Sequence, residues 1–111
     1  MQNAKFTSEY SEGILIIKLF GDIDHHSAKP LREGIDSEIY LYRAATVMLD
    51  LSNIDFMDSS GLGLILGRYT RIQELGGTLV ITDPSESVER ILELAGTKKL
   101  ITVKHTERSK I

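Results

Sequence analysis

Apolar side chains along this chain fall into short strand-like runs that alternate with longer runs at helical spacing. Residues 5–10 alternate loosely, and residues 14–23 are rich in β-branched side chains, with a Ser-Glu-Gly turn between them. This pattern predicts a β-hairpin. Ser27 can cap the helix that follows, which has Pro30 in its first turn. The expected buried face of this helix consists of Ala28, Leu31, Ile35, Ile39 and Tyr42.

The middle of the chain predicts a strand, a loop and a helix in that order. Residues 46–51 form a short apolar run that leads into a polar loop, and Asp50 is expected to mark the end of this strand. A helix is predicted from Ser59 or Ser60 to Leu75, where a Gly-Gly pair ends it. The face expected to be buried consists of Leu62, Ile65, Leu66, Tyr69 and Ile72.

Two further strands and one helix complete the pattern. Residues 78–82 predict a strand, the Asp-Pro-Ser sequence at 83–85 leads into a helix, and residues 100–103 predict a last strand. This helix is expected to bury Val88, Ile91, Leu92 and Ala95. Residues 104–111 are polar apart from the last one, so we expect a frayed tail there.

The order of these elements, β-β-α-β-α-β-α-β, predicts a single α/β domain over residues 1–111. Right-handed strand–helix–strand connections make most of the sheet parallel, whereas the N-terminal β-hairpin is antiparallel. We therefore expect a mixed, mainly parallel sheet with helices packed on it. A length of 111 residues, of which 41% are hydrophobic and 26% charged, fits one folded domain.

Charge and residue usage narrow the possible partners. A formal net charge of −3 gives no dominant attraction to nucleic acid or anionic lipid, so protein partners are favoured. The chain has no cysteine, which excludes disulfides and thiolate metal sites and is compatible with a reducing cytoplasm. No apolar run is long enough to cross a bilayer, and we expect a cytoplasmic protein without a membrane span.

Adjacent serines at the predicted start of the second helix are the first candidates for function. The positive end of a helix dipole and its unpaired N–H groups favour an anion, so Ser59 could carry or face a phosphate. The alternative is simple capping by Asp58, Ser59 or Ser60, which stabilises a helix by about 1 kcal/mol.

Glycines on the same helix suggest a docking flank. Gly63 and Gly67 lie beside the expected buried face, and Leu64 points almost opposite Leu62, toward solvent. Each glycine costs the helix about 1 kcal/mol relative to alanine, so a close approach by another group would explain them. That group could be a partner protein or a neighbouring element of the same fold, and both alternatives remain open.

Catalytic and cofactor motifs are absent from the sequence. The spacing Gly61-x-Gly63-x-x-x-Gly67 lies inside a helical pattern and not in the turn that a dinucleotide fingerprint requires. Met57 stands where a serine hydrolase elbow needs glycine, and the His25-His26 pair lacks zinc-site spacing. We expect no enzyme activity, no cofactor and no metal site.

Acidic residues follow the second and third predicted strands. If those strands are neighbours, the carboxylates converge near Ser59 and form an acidic rim that basic residues of a partner could contact. Ordinary solvation of loops is the alternative. The residues concerned are Asp22, Asp24, Asp50, Asp55 and Asp58.

Three segments of the sequence form a recognisable set: Gly-Asp-Ile-Asp-His-His at 21–26, Val-Met-Leu-Asp-Leu at 47–51, and above all Phe-Met-Asp-Ser-Ser-Gly-Leu-Gly at 56–63. In these segments the chain resembles the anti-sigma factor antagonists of the STAS domain family, and among them the sporulation type. The resemblance covers about the whole chain.

The resemblance implies a phosphorylation switch. The unphosphorylated protein would bind an anti-sigma factor serine kinase and release the sigma factor, phosphorylation of Ser59 would end that binding, and a PP2C-type phosphatase would restore it. By the same resemblance, Asp24 and residues near Asp58 and Gly61 face the kinase. With the docking flank included, the predicted partner-binding residues are Asp24, Asp58, Ser60, Gly61, Gly63 and Leu64.

One departure and two alternatives stay open. The sequence Gly-Thr-Lys-Lys at 96–99 stands where family members commonly have leucine and another large apolar residue, which leaves the C-terminal packing and the effect of Lys98 and Lys99 on partner choice undecided. Another STAS partner-switch protein, such as a general stress-response antagonist, is the nearer alternative. A small-ligand or nucleotide-binding module is the more distant one.

Overall fold

Five strands and three α-helices alternate along residues 4–106, the part of the chain that the computed structural model describes. The strands are β1 (Lys5–Ser11), β2 (Ile14–Ile23), β3 (Thr46–Met57), β4 (Thr78–Thr82) and β5 (Thr102–Lys104). The helices are α1 (Ala28–Tyr42), α2 (Ser59–Glu74) and α3 (Glu86–Leu94), and a 3₁₀ turn spans Thr97–Lys99. Element order and type agree with the sequence prediction.

The strands form one sheet in the order β1-β2-β3-β4-β5. β1 and β2 are antiparallel, and every later pair is parallel, so the predicted mixed sheet with an N-terminal hairpin is confirmed. Because successive right-handed crossovers step in the same direction, α1, α2 and α3 lie on the same face of the sheet. The opposite face carries no helix of the described chain.

A single hydrophobic core lies between the helices and one face of the sheet. Alternate side chains of β2 and β3 form the sheet side of this core, and each helix packs one apolar face against them. On the other face, Ile16 and Met48 are only half-buried and Ile14 is exposed. The core includes Leu15, Ile17, Leu19, Val47, Leu49, Leu51, Leu31, Ile35, Ile39, Ile65, Ile72, Val88 and Leu92.

β3 is twice as long as predicted, and Asp50 does not end it. Asp50 lies within the strand, paired with Lys18 of β2 and Thr82 of β4. The strand continues to Met57 because β2 pairs with it across two register shifts. Such bulges break strict alternation, so Ile54 and Met57 both point inward although they are three residues apart. Because the apolar positions of this segment do not alternate strictly, the sequence prediction of a loop here is wrong.

The predicted buried face of α2 is also partly wrong. Leu64 is 4% exposed and packs in the core, whereas Leu62 is only half-buried. Arg68, one turn later, is equally buried. Its Nε lies 2.8 Å from Asp36 Oδ1 on α1. A charged side chain paired in this way can occupy an inward position that periodicity assigns to apolar residues alone. Desolvation is the main cause that lowers the pKa of Arg68, and Asp36 opposes it.

The predicted frayed tail is wrong for residues 104–106. Lys104 pairs with Thr82 at the end of β5, and the N–H of Thr106 donates to Asp83 Oδ1 at 2.7 Å. Residues 107–111 lie outside the described part of the chain.

No helix between residues 4 and 106 is long and apolar enough to cross a bilayer.

Lys98 has a structural role in this segment. Its Nζ lies 2.6 Å from Glu89 Oε2 and 3.1 Å from Glu93 Oε2 on α3. Glu89 also contacts His105 through Oε1, with His105 Nε2 at 2.7 Å. These contacts join α3 to the residues on either side of β5. Hydrogen bonds from Lys98, and then from His105, lower the pKa of Glu89.

We predict that Glu89→Gln reduces the acid sensitivity of folding. A carboxyl group whose pKa is lowered by folding stabilises the protein above its unfolded pKa, and that stability is lost as pH falls through the lowered value, below 4.5 here. Urea unfolding of the variant should show lower stability near neutral pH and a smaller loss between about pH 5 and pH 3. Glu33→Gln, at an exposed position on α1, is the control, and identical acid slopes for wild type and Glu89→Gln would contradict the prediction.

Candidate functional site

The first turn of α2 is organised by Asp58. Its backbone is extended, and its Oδ1 accepts a hydrogen bond from the N–H of Ser60 at 2.8 Å. Its carbonyl oxygen accepts from the N–H groups of Gly61 at 2.9 Å and Leu62 at 3.3 Å. Capping is therefore confirmed for Asp58. The cap also occupies most of the N–H groups that we expected to remain available to an anion.

Ser59 is held at the first position of the helix with its side chain in solvent. Neither its hydroxyl nor its N–H has a hydrogen-bond partner among residues 4–106. Ser60 is half-buried instead, and its N–H is taken by Asp58. The two adjacent serines therefore differ in accessibility, and Ser59 is the one open to an approaching enzyme or partner.

The parallel pairing of β2 and β3 brings a second loop to the same edge. Ile23 pairs with Met57, and the N–H of Asp58 donates to the carbonyl oxygen of Ile23 at 3.2 Å. Asp24 and Asp58 thus leave the sheet side by side. Asp50 does not reach this edge, because it lies within the sheet and accepts from the N–H of Ser52. The acidic rim is smaller than predicted.

Asp24 organises the start of α1. Its Oδ1 accepts from the N–H groups of His26 at 2.9 Å and Ser27 at 3.0 Å, and its carbonyl oxygen accepts from Ala28. The prediction that Ser27 caps α1 with its side chain is wrong, because its Oγ accepts from the N–H of Asp24 at 3.0 Å and from no N–H of the helix. The N–H of Ser27 is the main cause that lowers the pKa of Asp24, which keeps this carboxylate ionised.

A cleft of about 380 Å³ separates the first turns of α1 and α2. Lys29 and Arg32 line its α1 side, and Ser60 and Gly63 line its α2 side, with Leu64 between. Sequence reasoning missed both cations, although their spacing of three on a predicted helix would have placed them on one face. The edge that carries Asp24 and Asp58 therefore borders a basic cleft.

The glycines of α2 fall into two classes. A Cβ atom on Gly61 would lie 2.7 Å from Cβ of Met57, so glycine is needed there for close packing. At Gly63 and Gly67 nothing in the described chain comes within 4 Å of such an atom. Packing against a neighbouring element therefore does not account for Gly63 and Gly67.

Leu64 is a correction to the predicted partner-binding set. Its side chain is 4% exposed and belongs to the hydrophobic core, so it does not form the exposed docking position that we expected. The exposed apolar group at this edge is Phe56, which is 53% exposed beside Asp22.

Residues 4–106 contain no group of three or more His, Asp or Glu side chains able to hold a metal ion.

Comparison with known proteins identifies related sequences and folds. The model of the STAS domain family matches residues 5–110. An anti-sigma F factor antagonist from Paenibacillus polymyxa is 37% identical over 105 residues, which cover 95% of this chain and 90% of that protein.

Two solved structures of SpoIIAA are also similar. The anti-sigma factor antagonist SpoIIAA in its unphosphorylated form gives a TM-score of 0.76 at 29% identity and covers 89% of this chain and 87% of that one. The Bacillus cell fate determinant SpoIIAA in its phosphorylated form gives 0.69 at 28% identity, covering 89% and 90%. The predicted fold is thus confirmed by proteins of related sequence.

We predict opposite effects for alanine at two glycines of α2. Gly61→Ala forces a methyl group against Met57 and should destabilise the fold by about 1–3 kcal/mol. Gly67→Ala has free space and should stabilise it by about 0.5–1 kcal/mol, because alanine favours helix. Urea denaturation of both variants measures the difference. Equal stability of Gly61→Ala and wild type would show that the contact with Met57 relaxes without cost.

Proposed function

Because the chain belongs to the STAS domain family, we propose that it is an anti-sigma factor antagonist that phosphorylation of Ser59 switches off. The observation that carries the proposal is the exposed, unbonded hydroxyl of Ser59 at the start of α2. The related protein from Paenibacillus polymyxa, named as an anti-sigma F factor antagonist, supports the activity. The phosphorylated form of SpoIIAA supports phosphorylation as the means of control.

The proposed cycle has a kinase, a phosphatase and a sigma factor. Unphosphorylated protein binds an anti-sigma factor that is a serine kinase, and the sigma factor is released. The kinase then phosphorylates Ser59 and dissociates, and a PP2C-type phosphatase removes the phosphate. The chain acts in this cycle as substrate and regulator, without catalytic activity, in the cytoplasm and in the control of sporulation transcription.

Local electrostatics can account for the switch without refolding. A phosphate adds about −1.5 to −2 charges at neutral pH. The positive end of the α2 dipole tolerates that charge within the protein. At the surface, however, the phosphate adds to the negative charge of Asp58 and Asp24. An acidic partner surface that fits the unmodified serine is then repelled, and an apolar one would have to bury the charge.

The proposed partner surface surrounds the exposed side chain of Ser59. Asp24, Ser60 and Gly63 border the cleft or its edge, and Lys29 and Arg32 add positive charge to it. Asp58 and Gly61 act by fixing the turn, through the cap and the contact with Met57. This arrangement gives a partner both signs of charge and a small-residue flank that its backbone can approach closely.

The basic cleft also favours a second candidate, a site for a small phosphate-bearing ligand. Lys29 and Arg32 offer positive charge beside a volume of about 380 Å³. Saturable binding of GTP or ATP to the isolated chain, lost in Arg32→Glu, would favour this candidate. A general stress-response antagonist, the other alternative, is distinguished by which kinase binds the chain.

We predict that one phosphate is added to Ser59 when the chain is incubated with a sporulation-type anti-sigma serine kinase, ATP and magnesium. Intact mass and peptide mapping measure the number and position of phosphates. Ser59→Ala should remain unmodified and stay bound to the kinase after ATP is added, because the repelling charge cannot form. Ser60→Ala is the matched control: it keeps the Ser59 hydroxyl and should still gain one phosphate at that position. Normal phosphorylation of Ser59→Ala would refute the site assignment.

A second prediction concerns Gly63→Ala. The added methyl group meets open space in the free protein, so the helix should gain about 0.5–1 kcal/mol of stability. The same methyl group should weaken binding to the kinase if a partner backbone approaches there. Calorimetric titration of unphosphorylated Gly63→Ala, with Gly67→Ala as control one turn away, separates the two effects. Unchanged affinity would remove Gly63 from the partner surface.

A further inference from the structure

β1 presents a long, regular edge to solvent. It pairs with β2 through seven consecutive residues, Lys5 to Ser11, without a bulge, and it contains no proline. Within residues 4–106, no strand pairs with its outer edge. Edge strands of this length usually carry a bulge, a proline, charged side chains or a covering element, because unpaired N–H and C=O groups recruit other strands. Charged side chains are present on β1, at Lys5 and Glu9. β5, at the other edge, has only three residues.

β1 is also held rigid for pairing. Ser8 Oγ donates a hydrogen bond to Glu38 Oε1 on α1, and the Phe6 ring packs so closely on Gly34 that a Cβ atom there would lie 2.6 Å from it. The ring of Tyr10 stacks on Tyr42 with 4.6 Å between centroids. An edge that is already ordered loses little conformational entropy when a partner strand adds to it.

The charges of β1 are complementary to the same strand in a second copy. Lys5 and Glu9 are exposed on the helix-free face and make no ion pair within the described residues. When two copies of β1 pair antiparallel with Thr7 opposite Thr7, Lys5 of each copy lies opposite Glu9 of the other. In a register where Lys5 or Glu9 faces its own copy, like charges lie opposite each other. In a register where Phe6 or Ser8 faces its own copy, neither Lys5 nor Glu9 has a charged partner. Opposite charges and Thr–Thr pairs both favour the register centred on Thr7.

We propose that two copies of this chain associate through β1 in this register and form a continuous ten-stranded sheet. The same register puts Ala4 of one copy opposite Tyr10 of the other, which covers part of a ring that is 43% exposed. α2 packs on β3 and β4, away from β1, so the start of α2 stays accessible in both copies. The dimer therefore presents two Ser59 sites, and its formation does not depend on the proposed antagonist function.

The test uses sedimentation equilibrium of the full, unphosphorylated chain over a range of concentrations. Wild type should rise from a mass of 12.4 kDa toward twice that value. Lys5→Glu and Glu9→Lys each turn two attractive pairs into two repulsive ones, and each should weaken association roughly ten-fold. The double variant Lys5→Glu/Glu9→Lys restores both pairs and should associate like wild type.

Mixing the two single variants gives the sharpest readout. Glutamate at position 5 of one copy then faces lysine at position 9 of the other, and Glu9 of the first faces Lys5 of the second. The mixture should dimerise although each variant alone is largely monomeric. Lys99→Glu and Glu86→Lys, exposed near the far side of the sheet, are the matched controls and should leave association unchanged.

Two results would overturn the proposal. One is a wild-type chain that stays at 12.4 kDa at every concentration, and the other is a dimer whose strength is insensitive to charge reversal at both positions. Circular dichroism of each variant shows whether it is folded, and recovery in the mixture excludes misfolding as the cause of weak association. In the first case, a different protein strand bound at this edge would show that its occupant is not a second copy.

Discussion

The parallel pairing of β2 with β3 is the constraint on which the candidate site depends. Two register shifts let the pairing run to Ile23 and Met57, and the bond from the N–H of Asp58 to Ile23 extends it one residue further. The chain leaves both strands at the same point. α1 and α2 therefore begin next to each other, and the cleft between their first turns follows from this pairing.

Capping and exposure are combined at the start of α2. Asp58 satisfies the N–H of Ser60, and glycine at position 61 allows the turn to pack against Met57. With its neighbours fixed in this way, the Ser59 side chain points into solvent at the positive end of the helix dipole. A modification there changes surface charge directly and leaves the core contacts of α2 intact, which suits a reversible regulatory site.

Charged residues of α1 and α2 lie both at the contact between the two helices and at the cleft between their first turns. The ion pair of buried Arg68 with half-buried Asp36 links α2 to α1, and Lys29 and Arg32 line the cleft. Asp58, the cap of α2, and Asp24, which orders the turn before α1, border its mouth. Carboxylates that order the local backbone also set the charge of the surface, so a substitution at either one changes stability and surface charge together. β1 lies apart from this edge, and its charges can act independently.

The sequence alone predicted the element order, the hairpin, the mixed and mainly parallel sheet, and a cap among Asp58, Ser59 and Ser60, because local period and end-capping residues decide these features. It misjudged the second half of β3, the tail at 104–106 and the inward side of α2. Bulges, strand pairing and the ion pair of Arg68 with Asp36 arise from contacts between residues that are distant in sequence. For the same reason, only the tertiary structure decided that Leu64 is buried, that Gly61 is required by packing, and that Lys29 and Arg32 line the cleft beside Ser60.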